Sequence, residues 1–427
     1  MDNKEAAISK AVEELREDII EFTFKLVRQP SMLGEEASVL RVMEEELIKL
    51  GLEPTKVPMN PEILSKHPGW NQIPDWISPP INYESHYNVV ATRRADDKGG
   101  KSALFNGHLD IVSPEPLSRW TRDPFEPELK DGWIYGRGSG DMKSGVAAMC
   151  YGLRAVEKAG FGLRAPVTLE GVIEEECTGN GTLACIHAGY DADAVLIPEP
   201  SGPTICTNQV GVFWFKVMIG GLATHACTSP TGFNAIEKSY PIIQALRGLE
   251  KKMNEDVHPA FKGKEHPLNL NIGMIKGGNW PSSVPAEAEI HCRFAYFPDK
   301  TDVEAHQGVV EAVGKAALED EWLSENPPEV AFYGLRHNGF SIDRNLPALT
   351  TLNECHKALT GEDAQEDIAT WTTDLRSFHD FGIGQATVFG PVSENFHGAD
   401  ERVSVESIVH TAKVYALFLA RWCGLVE

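Results

Sequence analysis

The sequence predicts an α/β protein, with a mainly parallel sheet covered by helices on both faces and an inserted α+β domain of ferredoxin-like order. Three observations carry this. Apolar strand-like runs alternate with helical runs in both flanking parts of the chain, as in a parallel sheet with crossover helices. Between those parts the order changes to β-α-β-β-α-β. At 427 residues the chain exceeds what one hydrophobic core usually organises. Two domains are therefore expected: residues 1–210 with 335–427, and an insert over 211–334.

The elements follow in order. Ile8, Val12, Leu15, Ile19, Phe22 and Leu26 recur every three or four residues, the stripe of one amphipathic helix that ends at Gln29-Pro30-Ser31. Val39, Leu40, Met43 and Leu47 mark a second helix, stopped by Gly51. Residues 58–83 hold Pro61, Pro68, Trp70, Pro74, Trp76, Pro79 and Pro80, so an irregular excursion is expected. It reads either as a surface loop with its own small cluster or as a wall of the substrate entrance. Strands are expected at 88–92, 103–106, 167–173 and 194–198, with helices at 145–158 and 180–188. The insert reads as a strand at 211–219, a helix at 232–252, strands at 268–275 and 286–294, a helix at 302–324 and a strand at 329–333. A helix at 346–359, a strand at 386–390 and a closing helix at 404–423 complete the first domain.

Composition narrows the function. The net charge of −23 argues against a nucleic-acid or anionic-membrane partner. No run of 18 apolar residues occurs, and the charged, helical N-terminus is unlike a signal peptide. The eight cysteines show no C-x-x-C pairing, which suggests reduced, buried thiols in a cytoplasmic protein.

The candidate chemistry lies just beyond strand ends. His108 and Asp110 are two residues apart at the end of an apolar run and so share a face of the strand. Asp141 sits in a turn with Gly138, Gly140 and Gly145, ahead of a helix. Glu174, Glu175 and Glu176 follow another apolar strand. Three adjacent like charges need full solvation or a compensating cation, and their place before Gly179-Asn180-Gly181 favours a site over a solvated turn. Glu199 ends a further strand, and His397 follows the 386–390 strand. Two imidazoles with three carboxylates suit a pair of zinc-like ions, one carboxylate bridging.

These motifs carry a resemblance that covers nearly the whole chain. G-H-L-D-I-V at 107–112, W-x-x-D-P-F at 120–125, Y-G-R-G-S-G-D-M-K-S-G at 135–145, E-E-C-T-G, P-E-P-S, G-L-A-T-H-A from Gly221, G-G-N-W-P-S-S-V-P from Gly277, T-D-L-R at 373–376 and H-G-A-D-E-R-V from His397 stand in order. The chain resembles the zinc aminoacylase, acetylornithine deacetylase and succinyl-diaminopimelate desuccinylase family, which includes carboxypeptidase G-type peptidases. The resemblance implies a zinc-peptidase-like fold whose insert serves as lid and dimerisation domain. It implies two divalent ions, zinc first, with manganese or cobalt as alternatives. His108 and Glu199 would hold one ion, Glu176 and His397 the other, and Asp141 both. Asp110 would orient His108, Glu175 would be the general base, and the Asp141–Met142 peptide would be cis. His225 would steady the oxyanion across a homodimer interface; the alternative is an ordinary loop histidine. Arg293 would meet the substrate's carboxylate, or else pair with one of the chain's many acids. Ser282 is a substrate-side position where many relatives have Asn. Val392 and Gly384 are further departures, and all three bear on substrate identity rather than on the ions.

The expected reaction is hydrolysis of the amide of an N-acyl amino acid or small peptide-like substrate, by a metal-bound hydroxide with Glu175 as base. Release of a carbamoyl group, or of an amine from an activated aromatic ring, is the alternative on the same site. A non-catalytic binding protein is a third reading, opposed by the retention of Glu175 and all five expected ligands.

Overall fold

Six strands form the main sheet, in the order Thr55–Pro58, Tyr87–Arg93, Val167–Val172, Ala103–His108, Ala194–Ile197, Gln385–Val388. The computed structural model describes residues 1–75, 77 and 81–426, so Trp76, Pro79 and Pro80 of the Pro/Trp-rich stretch lie outside the described residues. Three of the five strand pairings are parallel. The two at the Thr55–Pro58 edge are antiparallel. Every residue of Ala103–His108 and Val167–Val172 is buried, as strands covered on both faces require. Phe105 packs into the core beneath the Ser144–Lys158 and Val405–Trp422 helices. Its neighbour Leu104 packs on the other face, with Leu375 and Phe378 of the Leu375–Asp380 helix. The strand period of two thus feeds two cores from one strand.

The N-terminal stripe is buried throughout, but not on one helix. Asn3–Glu14 and Arg16–Val27 are separate helices hinged at Leu15, whose backbone leaves the helical region (φ −99°, ψ 5°). Leu15 still packs inward, so apolar spacing runs through the break unchanged. The 302–324 helix also ends early, at Leu318. A strand not expected from the sequence, Thr204–Gln209, pairs with Gln365–Ala369 and Phe340–Ser341 in a separate three-stranded sheet.

The inserted segment builds an antiparallel sheet in the order Leu270–Gly277, Glu287–Tyr296, Gly211–Gly220, Glu329–His337. Helices Ala235–Met253 and Asp302–Leu318 cover one face through Ile242, Leu246, Val309 and Val313, which meet Phe213, Phe215, Val217 and Phe294. The last strand runs to His337, beyond its expected end, past an irregularity opposite Phe213 and Trp214. Gly334 turns there with φ +60°, and a Cβ on it would come 2.8 Å from the Trp214 ring. Only glycine fits.

The 58–83 excursion ties both parts together. Asn71 Nδ2 donates to Thr178 O at 2.6 Å, Gly334 N donates to Gln72 O at 3.0 Å, and Asp75 pairs with Lys216 at 2.9 Å. Among the described residues, no helix is long and apolar enough to cross a membrane.

Candidate active site and metal centre

The Ala103–His108 strand delivers His108 to the carboxyl edge of the sheet, where open α/β folds place their sites. His108 Nδ1 lies 3.0 Å from the backbone carbonyl of Asp110. A carbonyl only accepts, so Nδ1 carries a proton, which leaves Nε2 facing the cluster. The resemblance implies that Asp110 orients His108; the contact here is through the backbone carbonyl, the carboxylate's nearest oxygen being 3.6 Å from Nδ1. That carboxylate faces the next strand end, where it accepts the backbone N–H groups of Glu175 at 3.3 Å and Glu176 at 3.1 Å. Asp110 therefore orients an imidazole through its carbonyl and positions the glutamate loop through its side chain.

Asp141 stands between the two imidazoles. Its Oδ1 is 3.0 Å from His108 Nε2 and its Oδ2 is 3.3 Å from His397 Nε2. His397 Nε2 is also 3.1 Å from Glu176 Oε1, and Glu199 Oε1 is 3.8 Å from His108 Nε2. The predicted ligands His108, Asp141, Glu176, Glu199 and His397 thus converge. Donor atoms of His108, Glu175 and Glu199, and separately those of His108, Asp141 and Glu176, lie within 4.8 Å of one another. The Asp141–Met142 peptide is cis.

The turn that carries Asp141 is built by a residue the sequence reading passed over. Glu401 is fully buried, and its carboxylate accepts the backbone N–H groups of Gly138 at 3.0 Å, Gly140 at 2.8 Å and Asp141 at 3.1 Å. Arg137 Nη1 donates to the same carboxylate at 2.5 Å. A Cβ on Gly140 would lie 1.8 Å from Ser393 Oγ, so the turn closes only on glycine. Short antiparallel pairings of Trp133–Tyr135 with Arg402–Ser404, and of these with Ser393–Glu394, bring the His397–Glu401 loop alongside. Glu401 stands within H-G-A-D-E-R-V, and nothing local in the sequence marks its partner. Glu174 and His397 both have left-handed backbones (φ 66° and 61°). Such conformations cost about 1–3 kcal/mol and persist where surrounding structure enforces them. Here Glu174 is held by Thr178 Oγ1 at 2.7 Å.

The charges show what the cluster lacks. Burial opposes ionisation of Asp141, yet the hydrogen bonds from His108 and His397 outweigh it and hold the carboxyl well below its usual range. Glu176 foremost raises His397 to about 11. Burial lowers the His108 pKa, but Glu199 and Asp141 outweigh it and the net shift is strongly upward. Glu175 and Glu199 are pushed well up, first by burial and then by neighbouring carboxylates. A buried carboxylate cluster demands positive charge, and divalent cations satisfy that demand with the same donors.

The cluster opens into a cavity of about 490 Å³, roofed by the inserted sheet with Trp214, Arg293 and Tyr333 and flanked by Trp371 and Phe396. Its wall draws no residue from the described part of the 58–83 excursion. His225 and Ser282 are exposed and lie outside the cavity wall of their own chain. His225 Nδ1 accepts the Cys227 N–H at 3.1 Å, and Ser282 O accepts the Ala226 N–H at 2.9 Å. Arg293 lines the cavity and pairs with no acid among the described residues.

A buried donor cluster this short of positive charge, opening into a roofed cavity, is the equipment of a metal-dependent hydrolase. The chain belongs to Peptidase family M20/M25/M40, whose profile matches residues 104–421. It is thereby a hydrolase of carbon–nitrogen bonds that acts on amides. It is 28% identical over 363 residues to N-formyl-4-amino-5-aminomethyl-2-methylpyrimidine deformylase of Bacillus subtilis, covering 80% of this chain and 84% of that one. It is 27% identical over 331 residues to succinyl-diaminopimelate desuccinylase of Nitrosococcus oceani, covering 74% and 82%. Among solved structures, the fold is similar to that of the di-peptidase Dug1p of Saccharomyces cerevisiae, with a TM-score of 0.78 and 14% identity over 99% of both chains.

Proposed function

We propose that the chain removes the acyl group from an N-acyl amino acid, or cleaves a similarly small peptide-like amide. One observation carries this reading: an unpaired guanidinium, Arg293, faces the carboxylate–imidazole cluster across a single cavity. A substrate with its amide at the cluster and its carboxylate on that guanidinium spans the two. The names of two relatives, a deformylase and a desuccinylase, agree with loss of an acyl group from nitrogen.

In this reading His108 and Glu199 would hold one divalent ion, Glu176 and His397 would hold a second, and Asp141 would be shared. The donor set fits: each imidazole turns Nε2 inward, and Asp141 offers one oxygen to each. Zinc, or manganese or cobalt in its place, would polarise the amide carbonyl and acidify water there. Glu175 would take a proton from the attacking water and return it to the leaving nitrogen. Burial, which raises its carboxyl, suits a base that must also give the proton back. The chain's other groups bind and orient. Residues 211–334 act as lid and homodimerisation domain, and His225 reaches the oxyanion from the partner chain, with Ser282 beside it.

The test is release of free amine from N-formyl, N-acetyl and N-succinyl amino acids by zinc-loaded protein. Stoichiometric acid and amino acid, abolished by a chelator and restored by zinc, are expected. Absence of release across the panel, or release untouched by the chelator, overturns the reading.

A further inference from the structure

The face of the inserted sheet turned toward the cavity carries one complete rung of side chains. Asn271 stands opposite Arg293, Arg293 opposite Trp214, and Trp214 opposite Tyr333, one residue on each of the four strands. All four line the cavity. Neighbouring strands lie about 4.8 Å apart. The rung therefore offers an amide, a cation, an indole and a phenol at successive steps of that length.

The cation is open to a ligand. Arg293 has no hydrogen bond or ion pair among the described residues, and burial alone lowers its pKa to about 10, with no carboxylate near enough to offset the loss of water. A partly buried guanidinium without a counter-charge has lost hydration, and a bound carboxylate offsets that loss. The rings beside it are held in place. The Tyr333 hydroxyl lies 2.7 Å from His291 Nδ1, and the Tyr333 ring meets Trp214 edge-on, centroids 6.2 Å apart at 64°. Trp371 and Phe396 add two more rings to the cavity wall.

We propose that this rung sets the substrate class: N-acyl amino acids with an aromatic side chain, the carboxylate on Arg293 and the ring against Trp214 and Tyr333. The proposal rests on the N-acyl amino acid reading above. The spacing supports it, because in an aromatic amino acid the carboxylate and ring lie roughly one strand spacing apart, about 5 Å. A basic side chain would meet the Arg293 charge. An acidic one would bring a second carboxylate to a wall with a single guanidinium. A short aliphatic one would leave the indole and phenol faces unfilled, and those faces favour offset or edge-on aromatic contacts.

The experiment compares kcat/KM of the zinc-loaded enzyme on N-acetyl-L-phenylalanine and N-acetyl-L-alanine. A ratio of about tenfold or more in favour of phenylalanine is expected from ring burial and stacking. Trp214→Ala should bring the ratio to within about twofold of one, whereas Trp214→Phe should keep most of it. Tyr333→Leu, at the sheet edge, should also lower the ratio and serves if Trp214→Ala fails to fold. Arg293→Gln should lower kcat/KM on both substrates while leaving the preference. Equal kcat/KM for the two substrates, or an unchanged ratio in both ring variants, overturns the inference while leaving the deacylase reading intact. Failure to deacylate either substrate overturns the inference, and absence of release across the whole N-formyl, N-acetyl and N-succinyl panel removes the deacylase reading as well.

Discussion

Glu401 Oε1 accepts the backbone N–H of Asp141 at 3.1 Å, although the two residues are 260 positions apart in the chain. The contact places the carboxylate shared by both imidazoles, and it does so without Glu401 touching either. Removing Glu401 should therefore loosen the metal centre while leaving every donor present. Glu401→Ala is expected to weaken zinc binding about 10–100-fold, the usual effect of losing a group that orients a ligand. Competition for zinc with a chromophoric chelator measures this. Wild-type affinity in a folded Glu401→Ala protein would show that the turn holds Asp141 unaided.

Glu175 is the assigned base, and Glu176 beside it is the assigned ligand. Glu175→Gln should keep fold and zinc content and lose about 10²–10⁴-fold in kcat, the usual worth of a positioned base. Zinc analysis beside the rate measurement separates the two glutamates. Loss of metal in Glu175→Gln would mean the roles are exchanged, a live comparison because Glu175 groups with His108 and Glu199 in donor distance.

His225 is exposed and outside its own chain's cavity wall. If it acts across a homodimer, His225→Ala chains mixed with Glu175→Gln chains should regain activity. One of the two sites in each mixed dimer then joins an intact Glu175 to an intact His225. Recovery should follow random mixing. Mixed dimers that form and stay inactive, or an active monomer in sedimentation, would contradict the assignment.

Away from the cluster, His379 is part-buried with its Nε2 enclosed and unpaired among the described residues, and desolvation lowers its pKa to about 4. In the unfolded chain it titrates near 6.5. The unfolded state thus binds the extra proton between those values. Stability contributed by the neutral ring is complete above about pH 6.5 and is lost as pH falls toward 4. Melting temperatures at pH 7.5 and 5 should differ less in His379→Gln than in the wild type. An equal or larger difference would mean that His379 does not contribute to the acid sensitivity.

Much of the site was legible because strand periodicity and strand ends are written locally. His108 and Asp110 are two apart, and Glu174–Glu176 and Glu199 each follow an apolar run, so their convergence needed only a parallel sheet. What stayed hidden depends on partners far away or on backbone atoms. Glu401 gains its role from a turn on the other side of the chain. The carbonyl, not the carboxylate, of Asp110 meets His108, and no residue type announces that. The Leu15 break is silent because its side chain still packs inward. The Thr204–Gln209 strand escaped notice because its sequence runs into the next strand, only Val210 intervening before Gly211.

Asp141 offers one carboxylate oxygen to each imidazole, and a pair of divalent ions would share it. The direct measurement is deacylase activity as metal-free protein is titrated with zinc, for the wild type and Asp141→Ala. Two divalent ions predict activity that plateaus at two zinc per wild-type chain, with Asp141→Ala inactive and binding less zinc. A plateau at one zinc per chain, with Asp141→Ala as active as the wild type, would contradict it.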